Sequence, residues 1–463
     1  MKKIMVALVL SLCVGAISIQ AQDRKTAAGG SVSKIDDETR ALVKKVWPAF
    51  IHIGGGSAVC ISEDGYFLTN HHVFNEAAKP ASTVVRMAGS TRKYTADAVG
   101  ADPRGDIVLG KLKLEKGEKV PFAKLGDSDK VQIGDLCLSI GDPFLLSGGL
   151  SEPTITLGTI TATHRFQGGY CDCLQIDTAI NPGNSGGPSF NIDGEVIGIN
   201  GRNIASHGKR FNTGAGYAIP ANQIKQFLDA LRAQEGGAYV VRHGLVGGLK
   251  LSLGSKVKGA QVERVDAESE AADAGFMAGD VITMMDQYTV FNAFRYYGVI
   301  GTKPRGSAFK FSVKRGDKTL EITARNNVPT ESGQFGTIPR SDDEARKDSG
   351  GGMAGMMDPF KLPNPKSTLG VKKFERNKDR AVGGFVLQQF SEVGGEQSPL
   401  EAAGLATNDV LLTINGRKII YACDVSDIMI AVEPKTPLQV KYLRDGKEME
   451  ATVITAESPR RNR

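Results

Sequence analysis

The chain has 463 residues, room for about three domains at roughly 150 residues each, and its 56 glycines follow no G-X-Y period, which excludes a collagen-like fold. The formal net charge is +6, but Lys2, Lys3, Arg460, Arg461 and Arg463 supply five of those charges and leave +1 for everything between. A nucleic-acid binder needs a clustered basic patch in its body, and this chain lacks one.

The first element is a leader. Lys2 and Lys3 precede an apolar run from Ile4 to Ile19, and Ala21 offers a small residue for cleavage, so residues 1–21 read as a secretory signal peptide. The run of 16 residues is interrupted by Ser11 and Ser18 and falls short of the roughly 20 needed to span a bilayer. The alternative is a retained anchor. Cys13 is preceded by Leu12, bulkier than the small residue of a lipoprotein site. The destination is outside the inner membrane, periplasmic in a two-membrane bacterium. Five cysteines remain: Cys60, Cys137, Cys171, Cys173 and Cys423. An odd, sparse set is no disulfide framework, and Cys171-x-Cys173 has no second pair at zinc-ligand spacing. They are expected as small buried or loop residues.

After an N-terminal segment (22–40), residues 41–236 read as one mostly β domain. Short strands at 49–53, 65–70, 106–112 and 194–199 are separated by Gly-, Asp- and Asn-rich turns, the pattern of a barrel or sandwich. Pro220 opens a helix, with Ile224, Phe227, Leu228 and Leu231 on one apolar stripe, that ends at Gly236-Gly237. The second half is a repeat. ADAGFMAGDVITMMD (272–286) and EAAGLATNDVLLTIN (401–415) align at a shared Ala-Gly, 129 residues apart. Each is followed by a helical stretch and a charged hairpin, at 314–323 and 443–452. That period is too long for a solenoid. Two copies of a small domain are expected, at 240–327 and 367–456, with a linker at 328–366 and a basic tail at 457–463. Gly and Pro make up 11 of the linker's 39 residues; it also holds the charge run at 342–348 and Met353, Met356 and Met357. A tether explains it better than a sticky patch for apolar substrate.

Three segments carry chemistry: LTNHHVF (68–74), DPRGDIVL (102–109) and DTAINPGNSGGP (177–188). They present His, Asp and Ser in the chain order of the chymotrypsin triad. A serine hydroxyl needs a base to become a nucleophile and donors aimed at the developing oxyanion. Ser185 is the candidate nucleophile, and the amides of Gly183 and Ser185 are the candidate oxyanion donors. The candidate base is His72, with His71 competing. Asp106, opening an apolar strand, would be costly to bury without a partner such as a histidine Nδ1–H. Each segment alone has an ordinary reading; all three in order do not.

These segments, together with VKKVWPAFIHI, EDGYFLTNHHV, GDPF, QIDTAINPGNSGGPSFN and GAGYAIP, resemble the HtrA or Do-like serine proteases. The likeness runs from about Ala41 to the end of the second copy. It implies a chymotrypsin-like double β-barrel followed by two α+β PDZ domains, and it selects His72 over His71. It also implies a secreted endopeptidase for misfolded or unfolded proteins, with PDZ domains selecting or sensing C-terminal peptides, and a homo-oligomer, a trimer in many relatives. Asn184 stands where zymogen-activated relatives carry the Asp that pairs with a new N-terminus, so activation by loop ordering is implied. Ala179 stands where trypsin-like enzymes place an Asp. With Ile180 and Ala215 it predicts an apolar specificity pocket and cleavage after Val, Ala or Leu. In the second PDZ copy, Leu369, Gly370 and Val371 match the carboxylate-binding loop. In the first copy the counterpart is Gly248-Leu249, and the expected Asn-Gly turn is replaced by Asp286-Gln287, which puts peptide binding there in question.

A different reading is a holdase-like chaperone or PDZ binding protein whose proteolysis is dispensable. A third is an α/β-hydrolase esterase, since 183–187 also fits G-x-S-x-G, with His207 or His243 downstream. That fold needs a helix after the serine, and GGPSFN does not read as one. With six histidines, no H-E-x-x-H and no His pair beside carboxylates beyond His71-His72, no metal and no cofactor are expected.

Overall fold

The computed structural model describes residues 36–74, 82–146, 152–167, 170–203, 214–233, 239–330, 367–377, 379 and 382–458. The leader, the linker from 331 to 366 with its Met cluster, Gly236-Gly237 and the Arg tail lie outside the described residues. A helix over 36–46 (α1) leads into twelve strands. Phe50–Ile53 (β1), Gly56–Cys60 (β2), Tyr66–Thr69 (β3), Ser82–Met87 (β4), Lys93–Asp102 (β5) and Ile107–Leu112 (β6) close into a barrel in the order β1-β2-β3-β6-β5-β4. Leu136–Gly141 (β7), Thr154–Gln167 (β8), Tyr170–Ile176 (β9), Pro188–Phe190 (β10), Val196–Asn203 (β11) and Gly216–Pro220 (β12) close into a second, in the order β10-β11-β12-β9-β8-β7. This is the chymotrypsin-like double barrel. The anticipated strands are present with ends trimmed by a residue or two, and the last runs on to Asn203.

One apolar core spans both barrels, joining Phe50, Val59, Leu68 and Ile107 to Leu138, Ile140, Phe190 and Ile199. Helix α2 (Ala221–Ala233) lays Ile224, Phe227 and Leu231 into the same core with Leu228 at its edge, as the stripe predicts. At about 25 cal/mol per Å² of apolar surface removed from water, this shared core is what fixes the seam between the barrels.

Both repeats are PDZ folds. In the first, Gly244–Leu245 (β13), Leu249–Leu251 (β14), Ala260–Val265 (β15), Val281–Met285 (β16), Tyr288–Thr289 (β17), Ala308–Arg315 (β18), Lys318–Arg325 (β19) and Val328–Pro329 (β20) surround helices α3 (Glu270–Asp273) and α4 (Ala293–Ile300). In the second, Ser367–Thr368 (β21), Val371–Arg376 (β22), Phe385–Phe390 (β23), Val410–Ile414 (β24), Arg417–Lys418 (β25), Pro437–Arg444 (β26), Lys447–Ile454 (β27) and Ala456–Glu457 (β28) surround α5 (Pro399–Ala402) and α6 (Ala422–Ala431). Strand β20 pairs with β13, so 328–330 belong to the first PDZ rather than to a tether. The changed turn is conservative in form. Asp286 (φ +50°) and Asn415 (φ +48°) both sit in the left-handed region, and each Oδ1 accepts one strand amide, from Lys310 at 3.0 Å and from Gln439 at 2.8 Å.

The PDZ domains dock on the protease through their helices. Arg295 of α4 and Asp172 of β9 form a buried ion pair, and a Cβ on Gly301 would come within 2.1 Å of Cys171 Sγ. Helix α6 inserts Ile430 into the first barrel's cluster beside Tyr239 and Val240. Next to it, Arg242 holds Asp427 through two bonds of 2.8 and 2.6 Å, and Arg305 holds Asp424 at 2.7 Å. Asp424, Asp427 and Cys423 lie close enough to ligate an ion, but Arg242, Arg305 and Arg417 already supply the positive charge. All five described cysteines are free thiols, and four are buried, as expected.

Candidate active site

The site lies on the seam between the barrels. His72 leaves β3 in a tight turn, in which the Val73 and Phe74 amides both donate to the Asn70 carbonyl at 3.2 Å. Phe74 pins that turn, fully buried and stacked on Phe67 at 6.3 Å. Asp106 sits between β5 and β6 with φ +59°, a left-handed backbone that non-glycine residues adopt rarely. Its carbonyl accepts the His71 amide at 3.1 Å and the Asn70 side-chain amide at 3.0 Å. These bonds hold the residue in that conformation and aim its carboxylate inward.

The carboxylate of Asp106 is 1% exposed and has three donors. His72 Nδ1 lies 2.8 Å from Oδ2, the His72 amide donates to Oδ1 at 3.1 Å, and the Tyr170 hydroxyl donates to Oδ2 at 2.5 Å. Burial alone pushes this carboxyl up, but the His72 charge and the bonds from His72 and Tyr170 outweigh it and hold the group below the ordinary carboxylate range. Burial, then the Asp106 charge, push the Tyr170 phenol well above its usual value, so it stays a donor. His71 is buried and meets Asp106 through its backbone.

Ser185 stands on a glycine turn that no other residue type could make. A Cβ on Gly183 (φ +102°) would lie 2.1 Å from the Asp142 carbonyl oxygen, and one on Gly186 (φ +84°) 2.1 Å from that of Ser57. The Ser185 hydroxyl donates to the Gly201 carbonyl at 3.3 Å, a long bond that rotation about one torsion releases. The Phe144 amide holds the Pro182 carbonyl at 2.7 Å. In a trans peptide the following N–H points the opposite way, which turns the Gly183 N–H away from residue 144. Among the described residues, neither the Gly183 nor the Ser185 amide has an acceptor. The Gly183 carbonyl is tied down by Ser57 Oγ at 2.7 Å. Asn184, 4% exposed, donates through its side-chain amide to the Ala179 carbonyl at 2.7 Å, tying the turn to the candidate pocket. Ile180 is buried with Ile176, Leu174 and Ala218 and fills the space beside Gly216; Ala179 and Ala215 are half-buried. All three side chains in this position are apolar.

In the second PDZ, Leu369 is buried, Gly370 (φ +69°) turns the loop and Val371 opens the edge strand β22. In the first, Gly248 (φ +77°) and Leu249 take the corresponding places before β14.

Tyr170 escaped the sequence reading, and His243 entered it only as a downstream histidine for the esterase alternative. Tyr170 is 64 residues from Asp106, and its one signal is that a buried phenol needs a partner for its hydroxyl. His243, fully buried at the start of the first PDZ, puts Nε2 2.7 Å from Asp102 Oδ2, and Asp102 Oδ1 in turn accepts the Gly105 amide at 2.8 Å. It therefore braces the loop that presents Asp106. Burial disfavours the His243 cation, but the Asp102 carboxylate outweighs it and raises the imidazole from 6.5 to about 9. The stabilisation is complete below pH 6.5 and is lost as the pH rises through 9. That shift corresponds to about 3 kcal/mol. The thermal midpoint is expected to fall between pH 6.5 and 9.5, and His243→Gln to flatten that slope. The thiols of Cys60, Cys137 and Cys423, pushed up by burial to about 11, do not titrate in that window.

Residues 56–199 match the trypsin-like peptidase domain, and residues 237–325 and 369–455 each match the PDZ domain. A probable periplasmic serine endoprotease, DegP-like, of Pseudomonas fulva is 30% identical over 416 residues, 87% of this chain and 79% of the relative. One of the same name from Brucella suis is 31% identical over 389 residues, 82% of this chain and 69% of the relative. The solved HtrA-type protease AlgW with tripeptide is 32% identical over 63% of this chain and 98% of its own, with a TM-score of 0.49. The chain is a serine endopeptidase and belongs to the DegP-like, HtrA-type family of trypsin-like proteases with PDZ domains.

Proposed function

We propose that the protein degrades unfolded proteins outside the inner membrane, with Ser185 as nucleophile, His72 as general base and Asp106 as its orienting carboxylate. The observation that carries this is the 2.8 Å contact of His72 Nδ1 with a buried carboxylate that two further donors fix in place. A carboxylate on Nδ1 keeps the proton there and leaves Nε2 free to accept one. Ser185 Oγ, rotated off Gly201, attacks the scissile carbonyl carbon and passes its proton to Nε2. The Gly183 and Ser185 amides receive the oxyanion. The imidazolium then protonates the departing amine, and water, activated by the same nitrogen, hydrolyses the acyl-enzyme. The setting is supported by the periplasmic names of the relatives and by the leader pattern.

Ala179, Ile180 and Ala215 would accept small apolar side chains before the scissile bond. The test is peptide-library cleavage. The expected profile favours Val, Ala and Leu, and Ala179→Asp is expected to move it at least tenfold toward Lys and Arg. An unchanged profile in that variant refutes the pocket. The PDZ copies would select substrates through their C-terminal carboxylates.

A further inference from the structure

The two PDZ copies share a pattern of loop hydrogen bonds that sets their positions against each other. In the second copy the Leu400 amide donates to the Leu369 carbonyl at 3.4 Å, and the Ser391 amide to the Gly370 carbonyl at 2.9 Å. In the first copy the Ala271 amide donates to the Gly247 carbonyl, and the Asp266 amide to the Gly248 carbonyl, both at 2.9 Å. Gly247 thus stands where Leu369 stands, and Gly248 where Gly370 stands. The amides that open such a loop form the nest for a peptide's terminal carboxylate. In the first copy that nest already holds a carboxylate. Glu270, first residue of α3, accepts the Gly247 amide on Oε2 at 2.9 Å. Its counterpart in the second copy, set by the shared Ala-Gly, is Pro399, which has no side-chain acceptor to offer. The first copy has also lost the side chain at this place. A Cβ on Gly247 would lie 2.6 Å from Glu270 Oε2 and 2.8 Å from Val328, where the second copy buries Leu369.

We propose that Glu270 is a built-in occupant of the first copy's carboxylate nest, so that the second copy alone takes C-terminal peptides. One N–H serves one strong acceptor, and a second carboxylate brought there meets like charge as well as a spent donor. In the second copy no carboxylate among the described residues accepts from this loop; the Gly370 amide, one residue beyond the counterpart of Gly247, is engaged only by the neutral Thr368 hydroxyl at 3.1 Å, which a peptide carboxylate displaces more readily. The edge open to an added strand also differs, with six residues in β22 and three in β14.

The inference rests on the reading that these copies bind C-terminal peptides, and it is tested by binding rather than by cleavage. Full chain carrying Ser185→Ala is titrated calorimetrically with decapeptides ending in Val, Leu, Ile or Phe, each as free acid and as amide. One carboxylate-dependent site per chain is expected. Adding Glu270→Ala should raise this to two, and Glu270→Gln, which keeps size and removes charge, should give a second site weaker than that of the alanine variant. Two sites with Glu270 in place overturn the proposal, as does a single site in both Glu270 variants, or no carboxylate-dependent binding in any of them. Casein cleavage by the wild type reports on the protease reading separately.

Discussion

Ser185→Ala is expected to lower kcat/KM for unfolded casein by about 10⁴-fold or more while leaving thermal unfolding where it was. The first half follows from chemistry, because no other hydroxyl stands on the glycine turn and the remaining groups can only bind and polarise the substrate. The second half follows from the structure. The Oγ makes one long bond, 3.3 Å to Gly201, whereas the Ser185 carbonyl, which accepts the Ser57 amide at 2.9 Å, is untouched by the change. Casein cleavage that persists in the purified variant refutes the nucleophile. A wild type that suppresses aggregation without cleaving returns the holdase reading.

Asp106→Asn is the second large effect, on the order of 10⁴-fold in kcat with little change in KM. The argument turns on which atom donates. Oδ2 receives two donors at once, Tyr170 at 2.5 Å and His72 Nδ1 at 2.8 Å, and Oδ1 receives the His72 amide at 3.1 Å. An asparagine has one oxygen and one NH₂ for these positions. If the NH₂ faces His72 Nδ1, it donates where it should accept; the imidazole then carries its proton on Nε2 and cannot deprotonate Ser185. If the oxygen faces Nδ1, the NH₂ is forced against the His72 amide, donor to donor. The buried site penalises either placement. The rate deficit should shrink as the pH rises, when hydroxide competes with the missing base. A variant within tenfold of wild type at pH 7 removes Asp106 from the mechanism.

The barrels, the repeats and the three chemical segments were legible because each is written locally, in strand-length apolar runs, glycine turns and a twice-used Ala-Gly motif. The candidate base needed more, since His71 and His72 are equal as letters and only the family resemblance favoured His72; in the structure His72 Nδ1 lies 2.8 Å from Asp106 and His71 is buried. Residues that act through distant partners left no local trace. Tyr170 meets Asp106 across 64 positions, His243 meets Asp102 across 141, and Arg242 meets Asp427 across 185. Nor does periodicity reveal that Gly247 and Leu369, alike in backbone, differ in what fills the space around them. The start of the linker was misplaced for a related reason: Val328 and Pro329 look like tether until the two-residue strand Gly244–Leu245 is there to pair with them.

The arginine–aspartate contacts at α6 bear on how this protein can be taken apart. Arg242 stands at the start of the first PDZ and Arg305 further within it, yet their carboxylates come from the second. A chain cut at residue 330 would leave both guanidiniums without partners and empty the seat of Ile430 beside Tyr239. The guanidiniums would then face water, so the lasting damage is the apolar seat beside Tyr239 and Val240 that loses Ile430. Deletion of the second PDZ would therefore damage what it leaves behind, and any activity lost with it could not be credited to that domain's binding. Interchangeable parts in sequence are here a single mechanical unit, and a clean division would have to make the exposed seat of Ile430 polar along with the domain removed.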